Sequence, residues 1–145
     1  MLEACAGSRL RGAPDKRLWA NLYNGVGGHV ERGEDILGAA YRELWEETGL
    51  TGTDLQLVGT VTVDTGQQTG IGLYVIKGSC QKGEPLSSEE GELEWVPFSE
   101  IADRNLVEDL PVLLPRVLAH KQDDPPFSAH YYYNDQDQLI VEFAN

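Results

Sequence analysis

Glu43, Glu46 and Glu47 stand at i, i+3 and i+4 within the stretch from Glu34 to Thr48. On a helix turning about 100° per residue, that spacing brings their carboxylates onto one patch. Such a patch opposes its own helix unless a cation bridges it, and its hard oxygen ligands suit a divalent ion such as Mg²⁺. With a phosphate chain beyond the ion the patch becomes favourable, so the chemistry indicated is metal-assisted handling of a polyphosphate. Arg42 precedes Glu46 by one helical turn, close enough to orient that carboxylate and hold it ionised. Glu34 falls where the helix should start, and exposed backbone N–H groups there favour an anion. Upstream, Gly25, Gly27 and Gly28 mark a backbone that turns tightly or lets main-chain atoms reach a ligand without a Cβ in the way.

Positioning these groups requires a helix over Glu34 to Thr48, ended by Gly49 in the left-handed conformation. Glu43, Glu46 and Glu47 would form its binding face, and Leu37, Tyr41, Leu44 and Thr48 an adjacent face packed on a sheet. Leu55 to Val63 and Gly70 to Ile76 are rich in β-branched residues and separated by the turn-prone run Asp64-Thr-Gly-Gln-Gln, which predicts a hairpin. Glu92 to Val96 alternates as a half-buried strand does, and Pro97 ends it. Leu110, Leu113, Leu114, Val117 and Leu118 have helical spacing within Leu106 to Lys121. Pro111 is tolerable there in a first turn, whereas Pro115 should kink or divide the helix. Ser128 to Tyr133 and Leu139 to Phe143 read as a last hairpin around Asn134-Asp-Gln-Asp. The order of elements predicts an α/β fold, a mixed sheet with helices on its faces.

The chain has 145 residues, which predicts a single domain over 1–145. A formal net charge of −13 argues against nucleic acid or an anionic membrane as partner and makes a cation necessary for any polyphosphate ligand. Two cysteines, Cys5 and Cys80, indicate neither a disulfide framework nor a thiolate metal site, and a reducing cytoplasm is the simplest setting. No segment has the apolar length of a signal peptide core or a membrane span.

Gly28, Glu34, Arg42, Glu43, Leu44, Glu46, Glu47, Gly49 and Leu50 match at every position the spacing of the Nudix box: Gly, five residues, Glu, seven residues, Arg-Glu, an aliphatic residue, any residue, Glu-Glu, any residue, Gly and an aliphatic residue. At average residue usage, chance would produce this in a chain of this length on the order of once in ten million. The chain therefore resembles the Nudix hydrolases. The resemblance implies an α/β/α sandwich around a mixed sheet and hydrolysis of a nucleoside diphosphate linked to another group, with Mg²⁺ or Mn²⁺ as the metal. It also implies Glu43, Glu46, Glu47 and the Gly28 carbonyl as metal ligands, and Glu90, on the loop before a later strand, as a proton acceptor or further metal contact.

Asn24 with Gly25, Val26, Gly27 and Gly28, and the downstream pair Glu108 and Asp109, are similar to the MutT-like branch that hydrolyses oxidised purine nucleoside triphosphates. There an Asn amide and an acidic pair can read the donors and acceptors of a purine edge. The resemblance thus implies a small-molecule nucleotide substrate, and the chain is expected to act as a monomer or homodimer. Alternatives are another nucleoside diphosphate derivative as substrate, or a non-catalytic binding module, which normally lacks a box carboxylate; none is lost here. The chain departs from its branch at Leu106, where close animal members carry a stacking aromatic. It departs again over Met1 to Leu18, which shows no convincing strand, so the first family strand is expected to be missing, supplied by a partner or atypical in sequence.

Overall fold

A computed structural model describes residues 2–5, 8–12, 23–24, 27–80, 91–96, 98–103 and 105–144, the strands at 2–5, 8–12, 23–24 and 91–95 by their backbone. In chain order the elements are β1 (Leu2–Cys5), β2 (Ser8–Gly12), β3 (Tyr23–Asn24), α1 (Ile36–Thr48), β4 (Gly52–Val63), β5 (Ile71–Cys80), β6 (Gly91–Trp95), a 3₁₀ turn (Phe98–Asp103), α2 (Leu110–Ala119), β7 (Phe127–Tyr133) and β8 (Leu139–Phe143). β1, β5, β4, β7 and β8 lie side by side in a mixed sheet, and β3, β2 and β6 form a smaller antiparallel one. Two strands therefore occupy the N-terminal stretch in which the sequence offers none. Leu-Glu-Ala-Cys carries little intrinsic strand signal, and β1 forms by parallel pairing with the edge of β5, a tertiary cause that local pattern does not register.

The helices cover opposite faces of the larger sheet. Along β5, Tyr74 and Ile76 join Ile36 and Ala40 of α1, while Leu73 and Val75 join the cluster of Leu110, Leu113, Leu114 and Val117 from α2. β4 serves both faces through a bulge. Leu57 pairs with Ile76 and Gly59 with Val75, so Val58 is an extra residue on β4. The bulge reverses the parity of the strand: Leu55 and Leu57 face α1, whereas Val61 and Val63 face α2.

α1 is capped at both ends. The Asp35 side chain accepts a hydrogen bond from Gly38 N at 2.7 Å, so Asp35 rather than Glu34 caps the N-terminus. Gly49 ends the helix at φ 71°, its N–H donating to the Trp45 carbonyl. The packing face is Ala39, Ala40, Leu44 and Thr48, so Leu37 and Tyr41 do not join Leu44 and Thr48 in the core. Both remain exposed, and the Tyr41 hydroxyl accepts a hydrogen bond from Leu55 N at the edge of the interface.

Pro115 neither divides α2 nor ends it. Its missing N–H leaves the Pro111 carbonyl without a helical donor, but both prolines lie on the exposed side, where water can meet that carbonyl. The buried side is unbroken, and Lys77 from β5 donates to the carbonyls of Val117 and His120 at the helix end. Cys80 is disulfide-bonded, where the sequence indicates no disulfide framework. Among the described residues no helix is long and apolar enough to cross a membrane.

Candidate active site

Arg42 is the hub of the acidic segment. Its Nε and Nη2 donate to the two carboxylate oxygens of Glu34 at 2.7 and 2.8 Å. Nη1 donates to Glu43 at 2.8 Å and Glu46 at 3.1 Å, and Nη2 also reaches the His29 carbonyl at 3.0 Å. Glu31 adds a longer ion pair at 3.8 Å. A planar guanidinium with five donors can join loop and helix in this way, whereas a lysine ammonium cannot. Glu34 returns the contact to the loop by accepting from Glu31 N at 2.9 Å. The Arg42 hydrogen bond, helped by that of the Glu31 backbone, holds the Glu34 carboxyl below its ordinary value of 4.5. Glu34, in turn, pushes the Arg42 pKa still higher.

Gly28 and Glu43 meet closely. A Cβ at position 28 would overlap all three atoms of the Glu43 carboxyl group, so glycine lets the loop backbone lie against this carboxylate, which a larger residue would force to shift. Glu43 is largely buried, with its side chain 13% exposed, whereas that of Glu46 is 56% exposed. Glu47 follows on the helix, half-buried, with its Oε2 shut from solvent. The cradle of Gly28 against Glu43 and the all-oxygen donor set fit a hard cation such as Mg²⁺. Among the described residues no three of these groups already converge as a metal cluster. The Arg42 guanidinium lies among Glu34, Glu43 and Glu46 and compensates their charge itself.

A second group is built at the start of α2. Glu108 and Asp109 are held from β7, where the Tyr131 hydroxyl donates to Asp109 Oδ2 at 2.9 Å and the Tyr133 hydroxyl to Glu108 Oε2 at 3.1 Å. Burial raises the Asp109 pKa, the Tyr131 hydrogen bond opposes that shift, and the charge of Glu108 adds to it. Neither tyrosine stands out by sequence pattern among three in a row, although alternation along a strand places the first and third on one face. Leu106, just before the acidic pair, packs against the core.

The structure thus brings Gly28, Arg42, Glu43 and Glu46 together and places Glu47 beside them on α1. Gly27 is half-buried on the approaching loop. Asn24 lies in β3, its backbone paired with Leu10 of β2, and its side chain lies outside the described residues, as does all of Glu90.

A family model for the NUDIX domain matches residues 8–117. The chain is 30% identical over 132 residues to an oxidized purine nucleoside triphosphate hydrolase of Mus musculus, covering 90% of this chain and 82% of that protein. It is 28% identical over 135 residues to the protein of the same name from Danio rerio, covering 92% and 84%. In fold it is similar to a MutT protein from Bacillus halodurans, with a TM-score of 0.79 at 24% identity over 99% of this chain and 94% of that one.

Proposed function

The chain belongs to the NUDIX domain family and is a Nudix pyrophosphohydrolase, and from that premise we propose that it hydrolyses a nucleoside triphosphate, an oxidised purine nucleotide such as 8-oxo-dGTP, to the monophosphate and pyrophosphate. The observation that carries the reading is the Gly28 and Glu43 cradle tied by Arg42 to Glu34 and Glu46. Family members use divalent metals, and Mg²⁺ is the ion we assign here, with Mn²⁺ as a substitute. The Gly28 carbonyl and the carboxylates of Glu43, Glu46 and Glu47 would hold it. When bound, the ion neutralises phosphate oxygens and lowers the pKa of a water.

Arg42 fixes the loop that carries Gly28 to the helix that carries the glutamates, so the ligand oxygens keep one relative placement. Water attacks phosphorus in line, the bond from that phosphorus to the oxygen bridging the α- and β-phosphates breaks, and the monophosphate and pyrophosphate separate. The proton released by the water goes to a carboxylate, which we assign to Glu90. Asn24, Gly27, Glu108 and Asp109 would contact the nucleoside, the acidic pair accepting from N–H donors on the base edge. The names of the mouse and zebrafish relatives support an oxidised purine as substrate.

The test is a panel of ordinary and oxidised nucleoside triphosphates, ADP-ribose and a dinucleoside polyphosphate, incubated with Mg²⁺ and separated by chromatography. The reading expects monophosphate plus pyrophosphate, with kcat/KM for 8-oxo-dGTP above that for dGTP. Equal values remove the oxidised purine assignment, and turnover of ADP-ribose alone removes the triphosphate.

A further inference from the structure

We propose that Tyr131 and Tyr133 are positioning residues for base recognition, each fixing one carboxylate of the Glu108 and Asp109 pair from a shared face of β7. The inference rests on the base-contacting role assigned above to that pair.

Asp109 occupies the N-cap position of α2, where an aspartate ordinarily accepts hydrogen bonds from the first helical N–H groups. Here its side chain makes no capping bond and turns to the Tyr131 hydroxyl at 2.9 Å. The carboxylate is thus drawn away from its usual structural task. Glu108, its neighbour of like charge, is drawn by Tyr133 at 3.1 Å. Two adjacent carboxylates repel and would swing apart on a free turn; two hydroxyls spaced two residues apart on one strand hold both. Each hydroxyl engages a single oxygen, Oδ2 of Asp109 and Oε2 of Glu108, and a carboxylate has a second oxygen with lone pairs of its own.

Tyr131 is suited to this work because it cannot easily lose its proton. Burial, the charge of Asp109 and the hydrogen bond itself all push its pKa up, so it remains a donor throughout the working range. Its donation opposes the effect of burial on Asp109 and keeps that carboxyl more readily ionised, able to accept from a base N–H. The charged or titratable groups acting on Asp109 are Glu108 beside it and Tyr131 and Tyr133 across from it.

The test compares Tyr131→Phe, Tyr133→Phe, Glu108→Gln and Asp109→Asn with the wild type on dGTP and dITP, which differ by the exocyclic amine, across a pH series. Tyr131→Phe should lower kcat/KM for dGTP about tenfold, mainly through KM, and move the acidic limb of the kcat/KM profile to higher pH. Tyr133 is exposed, so Tyr133→Phe leaves the core alone; it should reduce the preference for dGTP over dITP several-fold without moving that limb. If Glu108→Gln and Asp109→Asn lose the preference while both phenylalanine variants retain wild-type values and pH profile, the tyrosine inference falls and the base-contacting reading stands. If none of the four variants changes the preference, both fall. A Tyr131→Phe protein of lowered melting temperature with an unmoved limb and KM shows a purely structural hydroxyl and also overturns the inference.

Discussion

Replacing Gly28 by alanine tests the cradle with a single carbon. The added Cβ would overlap the Glu43 carboxyl, whereas ordinary van der Waals contact begins at 3.4 Å. The Glu43 carboxyl or the loop must therefore retreat by roughly 1 Å, a displacement that can cost about a hundredfold when it misplaces groups acting on a reacting centre. That factor corresponds to about 2.7 kcal/mol of transition-state stabilisation. Because Gly28 lies on a loop outside the two core clusters, the melting temperature should change little. Gly72→Ala is the control, since its Cβ would meet nothing within 4 Å. The assay is pyrophosphate release over a Mg²⁺ titration, in which Gly28→Ala should show both a lower maximum and a higher half-saturating Mg²⁺ concentration. A Gly28→Ala protein within threefold of wild type at every Mg²⁺ concentration would refute the placement of Glu43 against the Gly28 backbone as part of the site.

Two further outcomes follow from the same geometry. Arg42→Gln removes the fork that holds Glu34 below its ordinary 4.5. A depressed carboxylate contributes stability above its unfolded value and loses it as pH falls through the folded one, so the variant should be less stable than wild type at pH 7 with the gap closing below pH 4.5, as read from urea midpoints at both ends; a gap that widens in acid would contradict the sign. Leu44, 1% exposed, is the first of the two aliphatic residues of the box and acts by packing. Leu44→Ala should cost about 2–5 kcal/mol in urea unfolding, and a loss under 1 kcal/mol would place it outside the core.

The box was legible in the sequence because helical periodicity, a terminal glycine and fixed spacing of charged residues all act within one segment. The β4 and β5 hairpin and the β7 and β8 hairpin were legible for the same local reason. What lay beyond reach depends on partners distant in the chain. β1 exists through its pairing with β5, and the Val58 bulge decides which residues of β4 face which helix, though no residue type announces it. Pro115 does not divide the helix, and periodicity does not say that Pro111 and Pro115 would both face water. Leu37 and Tyr41 were assigned to the packing face because their spacing fits, but small Ala39 and Ala40 let the helix approach the sheet on a slightly rotated face. The tyrosine contacts to Glu108 and Asp109 span more than twenty residues and needed the fold.

The most direct measurement is product analysis of a nucleoside triphosphate incubated with the wild-type protein and with Glu47→Gln, each with Mg²⁺ and with a chelator, and each checked for fold by thermal melting. The account predicts Mg²⁺-dependent monophosphate and pyrophosphate from the wild type, none with chelator, and at least about a hundredfold loss of kcat in a folded Glu47→Gln protein. Full activity in Glu47→Gln, or turnover that persists in the chelator, would contradict it.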